Sequence, residues 1–147
     1  MRAHDLVLPA LQRQYAEHRH IQFLGSLSQE QLGPWYQKAT ALVLPSLAPE
    51  VFPLTILEAF AHGTPVIVHN AGGSREAVDK TGGGMVYDSR EELHDALALL
   101  ANDFQLRKTL GQRARTGYEQ FYSQKRYLER YLQLITHIGK KKRGTLH

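Results

Sequence analysis

Short apolar runs alternate along this chain with longer stretches of helical period. Ile21-Gln22-Phe23-Leu24, Ala41-Leu42-Val43-Leu44, Pro65-Val66-Ile67-Val68 and Met85-Val86-Tyr87 are too short for helices and read as strands. The second is almost wholly apolar, as a strand buried on both faces should be. Between the runs lie helices. The first covers about Asp5 to Glu17, with Leu6, Ala10, Leu11 and Tyr15 on one face, and a second opens at the capping box of Ser28 and Gln31 and runs to about Ala39. Proline is favoured at the first helical position and glycine just past the last turn, so Pro53 and Gly63 bracket a third helix. Ser74 is placed to cap a short helix through Val78, and Ser89 with Glu92 opens another along Leu93, Ala96, Leu97 and Leu100. From Phe104 onward the period is helical, with an interruption at Gly117. Tyr118, Phe121, Tyr122, Leu128, Tyr131, Leu132 and Ile135 form an aromatic-rich stripe that reads as core or as contact with a neighbouring domain. This alternation predicts an α/β fold with a parallel sheet.

Length and charge refine the outline. With 147 residues the chain is one domain's worth, taken as residues 1–139 with a basic tail over 140–147. Net charge is +4, yet residues 1–103 carry 7 basic and 12 acidic side chains, whereas residues 104–147 carry 11 basic and 2 acidic. The run Lys140-Lys141-Lys142-Arg143 ends this basic segment. It reads as a solvated helix face and tail or as an attraction to an anionic membrane surface; without aromatic-basic interleaving it does not read as a nucleic-acid site. No apolar run approaches the roughly 18 residues needed to span a bilayer, and no leader pattern indicates export. The absence of cysteine excludes disulfides and thiolate metal sites and fits a cytoplasmic protein, peripheral at the membrane face if the basic run engages it. The eight histidines show no metal-ligand spacing, and His18 with His20 reads as a surface pair.

Candidate chemistry centres on Glu50 and Glu58, eight positions apart around the start of the Pro53 helix. In an open α/β sheet, ligands bind beyond the carboxyl ends of strands, where loops lead into helix N-termini. Leu44-Pro45-Ser46, Glu50 and the Pro53 helix form such a place. Unpaired amides of the first turn, those of Leu54 and Thr55, can donate to phosphate oxygens with the help of the helix dipole. An ionised carboxylate only accepts hydrogen bonds, so it suits the vicinal hydroxyls of a ribose or hexose. Two carboxylates flanking a phosphate-seeking helix end describe a nucleotide-sugar site.

At these residues the chain resembles the retaining glycosyltransferases of family 4. Their signature is a glutamate, seven residues and a second glutamate, followed by Ala and a Gly-x-Pro-Val segment, matched here by Glu50 to Glu58, Ala59 and Gly63-Thr64-Pro65-Val66. Phe23-Leu24-Gly25 is similar to the family's strand-to-loop segment, Pro45-Ser46 to its Pro-Ser turn, and Gly72-Gly73-Ser74-Arg75-Glu76 to its Gly-Gly-x-x-Glu loop. The resemblance implies a Rossmann-like parallel sheet flanked by helices, the C-terminal half of a GT-B fold, with a helical C-terminal segment. It begins at about the second strand of that half. The first strand, the Arg and Lys that clamp the donor diphosphate, and the acceptor-binding N-terminal domain lie outside it.

By the same resemblance, Glu58 binds the ribose hydroxyls, and Glu50 contacts the transferred sugar as the catalytic residue. Backbone near Phe52, Pro53, Leu54 and Thr55 approaches the sugar and diphosphate, while Leu24, Gly25, Ser26 and Leu27 lie near the base. Pro53 stands where the family often has glycine, which removes one donor amide and favours the helix start. The implied donor is a UDP-, GDP- or other nucleoside diphosphate-sugar, with no metal or other cofactor. The implied acceptor is a glycan or a lipid-linked glycan, as in polysaccharide biosynthesis. The implied partner is an N-terminal GT-B domain, and the isolated chain is expected to be inactive.

Two other readings stay open on the residues alone. One is a non-catalytic nucleotide-sugar binding or interaction module that completes a partner N-terminal domain. The other is an unrelated doubly wound regulatory domain such as a receiver, which needs aspartates clustered at strand ends. Here the strands end in Leu24-Gly25, Pro45 and His69.

Overall fold

In the computed structural model, backbone is described for residues 3–47 and 53–144, and side chains for 7–47 and 53–138. The chain divides into two compact units, Met1–Leu32 and Gly33–His147.

In the first unit, α1 (Ala3–Gln14) is followed by residues 21–25 without regular structure. The predicted strand Ile21–Leu24 is therefore not formed. All four of its residues are exposed and none joins a ladder, and an apolar run becomes a strand only when a neighbour takes up its backbone groups. The capping box at the start of α2 (Gln29–Lys38) is formed reciprocally. The Gln31 amide donates to Ser28 Oγ at 3.3 Å, and the Ser28 amide donates to Gln31 Oε1 at 2.9 Å.

The second unit is built on a sheet of order β1-β2-β3, comprising Leu42–Leu44, Val66–His69 and Gly84–Tyr87, with both pairings parallel. All three strands coincide with predicted apolar runs. Successive side chains of a strand point to opposite faces, and here they feed two cores. Val66 and Val68 join Ile56, Ala59, Phe60, Ala77, Val78 and Ala114 on one face, whereas Ile67 joins Tyr87, Ala96, Leu100 and Leu110 on the other. The strand buried on both faces is thus the central β2, not β1, whose residues are half-buried. Helices α3 (Leu54–Ala61) and α4 (Gly72–Thr81) cover the first face, and α5 (Arg90–Asn102) covers the second. Helix α6 (Phe104–Gly117) serves both, giving Ala114 to one core and Leu110 to the other.

Local signals explain most helix ends. Ser89 Oγ accepts the Glu92 amide at 3.1 Å, while the Glu92 carboxylate reaches back to the Asp88 amide at 2.7 Å. Asp103, which carries no predicted role, caps α6 through the Leu106 amide at 2.8 Å. Helix α4 starts earlier than expected. Ala71 is its N-cap without a side-chain bond, Gly72 takes φ +51°, and Ser74 lies buried inside the first turn instead of capping it. Past Gly117 the helical path loosens into a π-helical turn, Tyr118–Tyr122, before α7 (Gln124–Gly144). The helical backbone therefore continues through the basic run at 140–143.

Candidate functional site

Helix α3 carries three of the sequence-predicted site residues, Leu54, Thr55 and Glu58, and a fourth, Pro53, stands at its N-cap. Pro53, expected as the first helical residue, instead precedes the helix as a buried N-cap in extended conformation, so the helix begins one residue later. Within the bracket of Pro53 and Gly63 the helix occupies the eight residues Leu54–Ala61. Proline has no side-chain acceptor, so no side chain caps this end, and the Pro53 carbonyl accepts the Ile56 amide at 3.2 Å. Residues three and four apart share a helical face. Leu54 and Thr55, both exposed, thus lie on the side of Glu58, while Ile56, Ala59 and Phe60 form the buried side. The first turn lies beyond the carboxyl end of β1, where α/β sheets place their ligands. Glu50 and Phe52 lie outside the described residues.

The far end of α3 is fixed by the motif that bore the family resemblance. Gly63 takes φ +72°, a conformation that side chains disfavour. Its amide donates to Phe60 O at 3.0 Å and the Thr64 amide to Ala59 O at 2.9 Å, the paired bonds of a Schellman cap. Helix α6 packs close here, since a β-carbon on Gly111 would lie 2.4 Å from the Gly63 carbonyl oxygen. The Arg115 guanidinium, paired with Glu119 at 2.7 Å, also donates to the Ala61 carbonyl. A cation there complements the negative end of the helix dipole.

Glu58 is half-buried and accepts a hydrogen bond from the Tyr36 hydroxyl, 3.0 Å from its Oε2. The Tyr36 ring stacks on His62, centroids 5.7 Å apart, and the Tyr36 carbonyl accepts the hydroxyl of buried Thr64 at 2.7 Å. Burial raises the pKa of Tyr36 to about 12, with the hydrogen bond to Glu58 and its negative charge adding to the effect. Tyr36 therefore stays a donor at any physiological pH. Sequence reasoning missed it, and no local signal flags a tyrosine that meets a glutamate 22 residues later.

A second polar group was also missed. At the carboxyl ends of β2 and β3, Asn70 donates to Asp88 at 3.1 Å and accepts from Arg75 at 2.8 Å, and Arg75 also pairs with Asp79 at 3.1 Å. Arg75 belongs to the Gly-Gly-x-x-Glu segment, which forms the first turn of α4. Beside it, His69 rests edge-on against Tyr87 at 5.5 Å with a buried Nδ1 that has no hydrogen-bond partner among the described residues.

The predicted base-proximal residues lie in the first unit. Leu24, Gly25 and Ser26 join Leu8, Gln12, Gln22 and Phe23 around an open cleft, with Leu27 half-buried next to it. Gly25 adopts φ +69° with nothing near its missing side chain, as a loop built for close approach would. Among the described residues no three His, Cys, Asp or Glu side chains converge to hold a metal ion. None of the described helices is long and apolar enough to cross a membrane.

Comparison with known proteins gives this geometry a context. The chain is 38% identical over 93 residues to the D-inositol 3-phosphate glycosyltransferase of Paenarthrobacter aurescens, covering 62% of this chain and 22% of that protein. It is 30% identical over 105 residues to the trehalose synthase of Pyrococcus horikoshii, covering 71% of this chain and 25% of that protein. Among solved structures, the sucrose-phosphate synthase of Thermosynechococcus elongatus superposes with a TM-score of 0.79 at 26% identity, covering 91% of this chain and 34% of that one. Anabaena HepE in complex with UDP-glucose superposes with a TM-score of 0.75 at 23% identity over 88% of this chain and 36% of that one, a likeness of fold. The chain thus spans about a fifth to a third of the length of these relatives. The family Glycosyl transferases group 1 matches residues 6–117, and the chain belongs to it.

Proposed function

We propose that this chain is the donor-binding C-terminal part of a retaining, family 4 type glycosyltransferase that takes a sugar from a nucleoside diphosphate. The observation that carries this reading is the start of α3. An uncapped helix end with exposed Leu54 and Thr55 lies beyond a parallel strand, and the Glu58 carboxylate follows on the same side. The Leu54 and Thr55 amides would receive the diphosphate, Glu58 the ribose hydroxyls, and Glu50 the transferred sugar. Charge on the departing diphosphate has to be stabilised and the acceptor held in line with the donor, and this reading leaves the second task to an N-terminal domain.

Titration of the chain with UDP, GDP and their sugars tests the reading. Binding is expected with dissociation constants of about millimolar, weakened further by Glu58→Ala through loss of ribose contacts. Sugar transfer by the chain alone is expected to be undetectable. Measurable binding that Glu58→Ala leaves untouched would overturn the role of Glu58, and robust turnover would overturn the division of labour.

A further inference from the structure

Tyr36 touches helix α3 at two places one turn apart. Its ring stacks on His62, nearly parallel at 13° with centroids 5.7 Å apart, and its hydroxyl donates to Glu58 Oε2 at 3.0 Å. Residues four apart on a helix are neighbours on one face, so a single phenol spans both. A third contact fixes its backbone, because the hydroxyl of Thr64, 2% exposed, donates to the Tyr36 carbonyl at 2.7 Å. One turn earlier on α2, buried Gly33 packs against the same His62, where a β-carbon would lie 3.4 Å from the imidazole. The phenol is thus anchored to the helix whose glutamate it holds. A glutamate has several side-chain torsions, and ordering them on ligand binding weakens the complex unless the folded chain has ordered them already. Tyr36 does so without exhausting the carboxylate, since an ionised carboxylate offers about four acceptor positions and one phenol occupies one of them. A neutral donor also leaves the carboxylate its charge, which a lysine or arginine in the same place would cancel. An uncancelled anion is the stronger acceptor for a sugar hydroxyl.

We infer that Tyr36 is a positioning residue for the donor: it holds the Glu58 carboxylate ready for the vicinal hydroxyls of the ribose and so sets a preference for ribonucleotides over 2′-deoxyribonucleotides. This rests on the donor site proposed above, and the two can fail separately. NMR titration of the full chain with UDP and with GDP, each against its 2′-deoxy form, gives the ratio of dissociation constants as the readout. The chain should prefer the ribonucleotide by about tenfold or more, as one charge-assisted hydrogen bond implies. Glu58→Ala should bring the ratio towards unity. Tyr36→Phe, which keeps the ring on His62, should reduce the ratio by about threefold or more while changing affinity for the deoxy form by less than about twofold. Thr64→Val keeps the phenol but removes the anchor of its backbone; it should lower the ratio in the same direction, and it replaces Tyr36→Phe if that variant does not fold. Circular dichroism of each variant checks that the fold is retained. A ratio unchanged in the folded variants, or equal weakening of both nucleotides, overturns the positioning role while the reading of Glu58 stands on its own variant. A ratio that rises in Tyr36→Phe overturns it as well, because the phenol would then compete with the ribose for the carboxylate. A preference that Glu58→Ala leaves intact, or a folded chain that binds neither UDP nor GDP, overturns the donor-site reading and this inference with it.

Discussion

The Tyr36 hydroxyl donates to the Glu58 carboxylate at 3.0 Å, joining α2 to the helix that opens the candidate donor site. The bond ties the orientation of Glu58 to a residue outside the family signature. Any ligand hydroxyl that comes to Glu58 meets a carboxylate already held by one neutral donor.

Tyr36→Phe should lower stability by about 1–2 kcal/mol at neutral pH, because a half-buried carboxylate loses a hydrogen-bond donor. The pKa of Tyr36 is raised from its ordinary 10.0 to about 12, so the folded state favours the protonated phenol. Its contribution is complete below pH 10 and is lost as pH rises through 12. Urea unfolding of both proteins from neutral to alkaline pH should therefore show the gap closing across that window. A gap independent of pH would mean that the hydroxyl is not the source of the difference.

Gly111→Ala should destabilise the second unit by about 1–3 kcal/mol, since the new methyl group would press on a backbone oxygen that cannot rotate away. Thermal unfolding measures it. A variant as stable as the parent would show that α6 can step back from α3 at no cost.

Among the phenylalanines, Phe60 is fully buried and Phe104 is 61% exposed, its ring stacked under Arg107 at 5.5 Å. Phe60→Ala should cost about 3–5 kcal/mol through lost transfer energy and the cavity left behind. Phe104→Ala should cost less than about 1 kcal/mol, the scale of an exposed cation–π contact. Denaturant titration of the two variants side by side would reveal any error in this ordering.

Ser89→Ala removes the acceptor for the Glu92 amide and should cost about 0.5–2 kcal/mol, whereas Ser89→Asp should recover most of it. Hydrogen exchange at the first turn of α5 reads this locally. Equal protection in Ser89→Ala and the parent would show that the Glu92 bond to the Asp88 amide holds the turn alone.

How much of this was legible in the sequence depended on the range of the interaction. Leu42–Leu44, Val66–His69 and Gly84–Tyr87 were readable because strands with buried faces declare themselves by apolar content. Ser28 and Ser89 were readable because a cap involves residues only three apart. Ile21–Leu24 has the same apolar content, yet pairing needs a neighbour and local sequence cannot supply one. The site divides in the same way. The uncapped start of α3 follows from Pro53, but the Tyr36 bond to Glu58 depends on how two helices dock. The Arg75, Asn70 and Asp88 chain depends on the parallel register that sets His69 opposite Tyr87.

The close approach of Gly111 to Gly63 and the grip of Arg115 on Ala61 both act on the last turn of α3. The first turn, where the donor is proposed to sit, is about 12 Å further along the same short rod. A random screen for variants that lose donor affinity but still fold should therefore collect hits at positions 111 and 115. Judged by proximity alone, those hits would look like remote noise, although they set where the helix points.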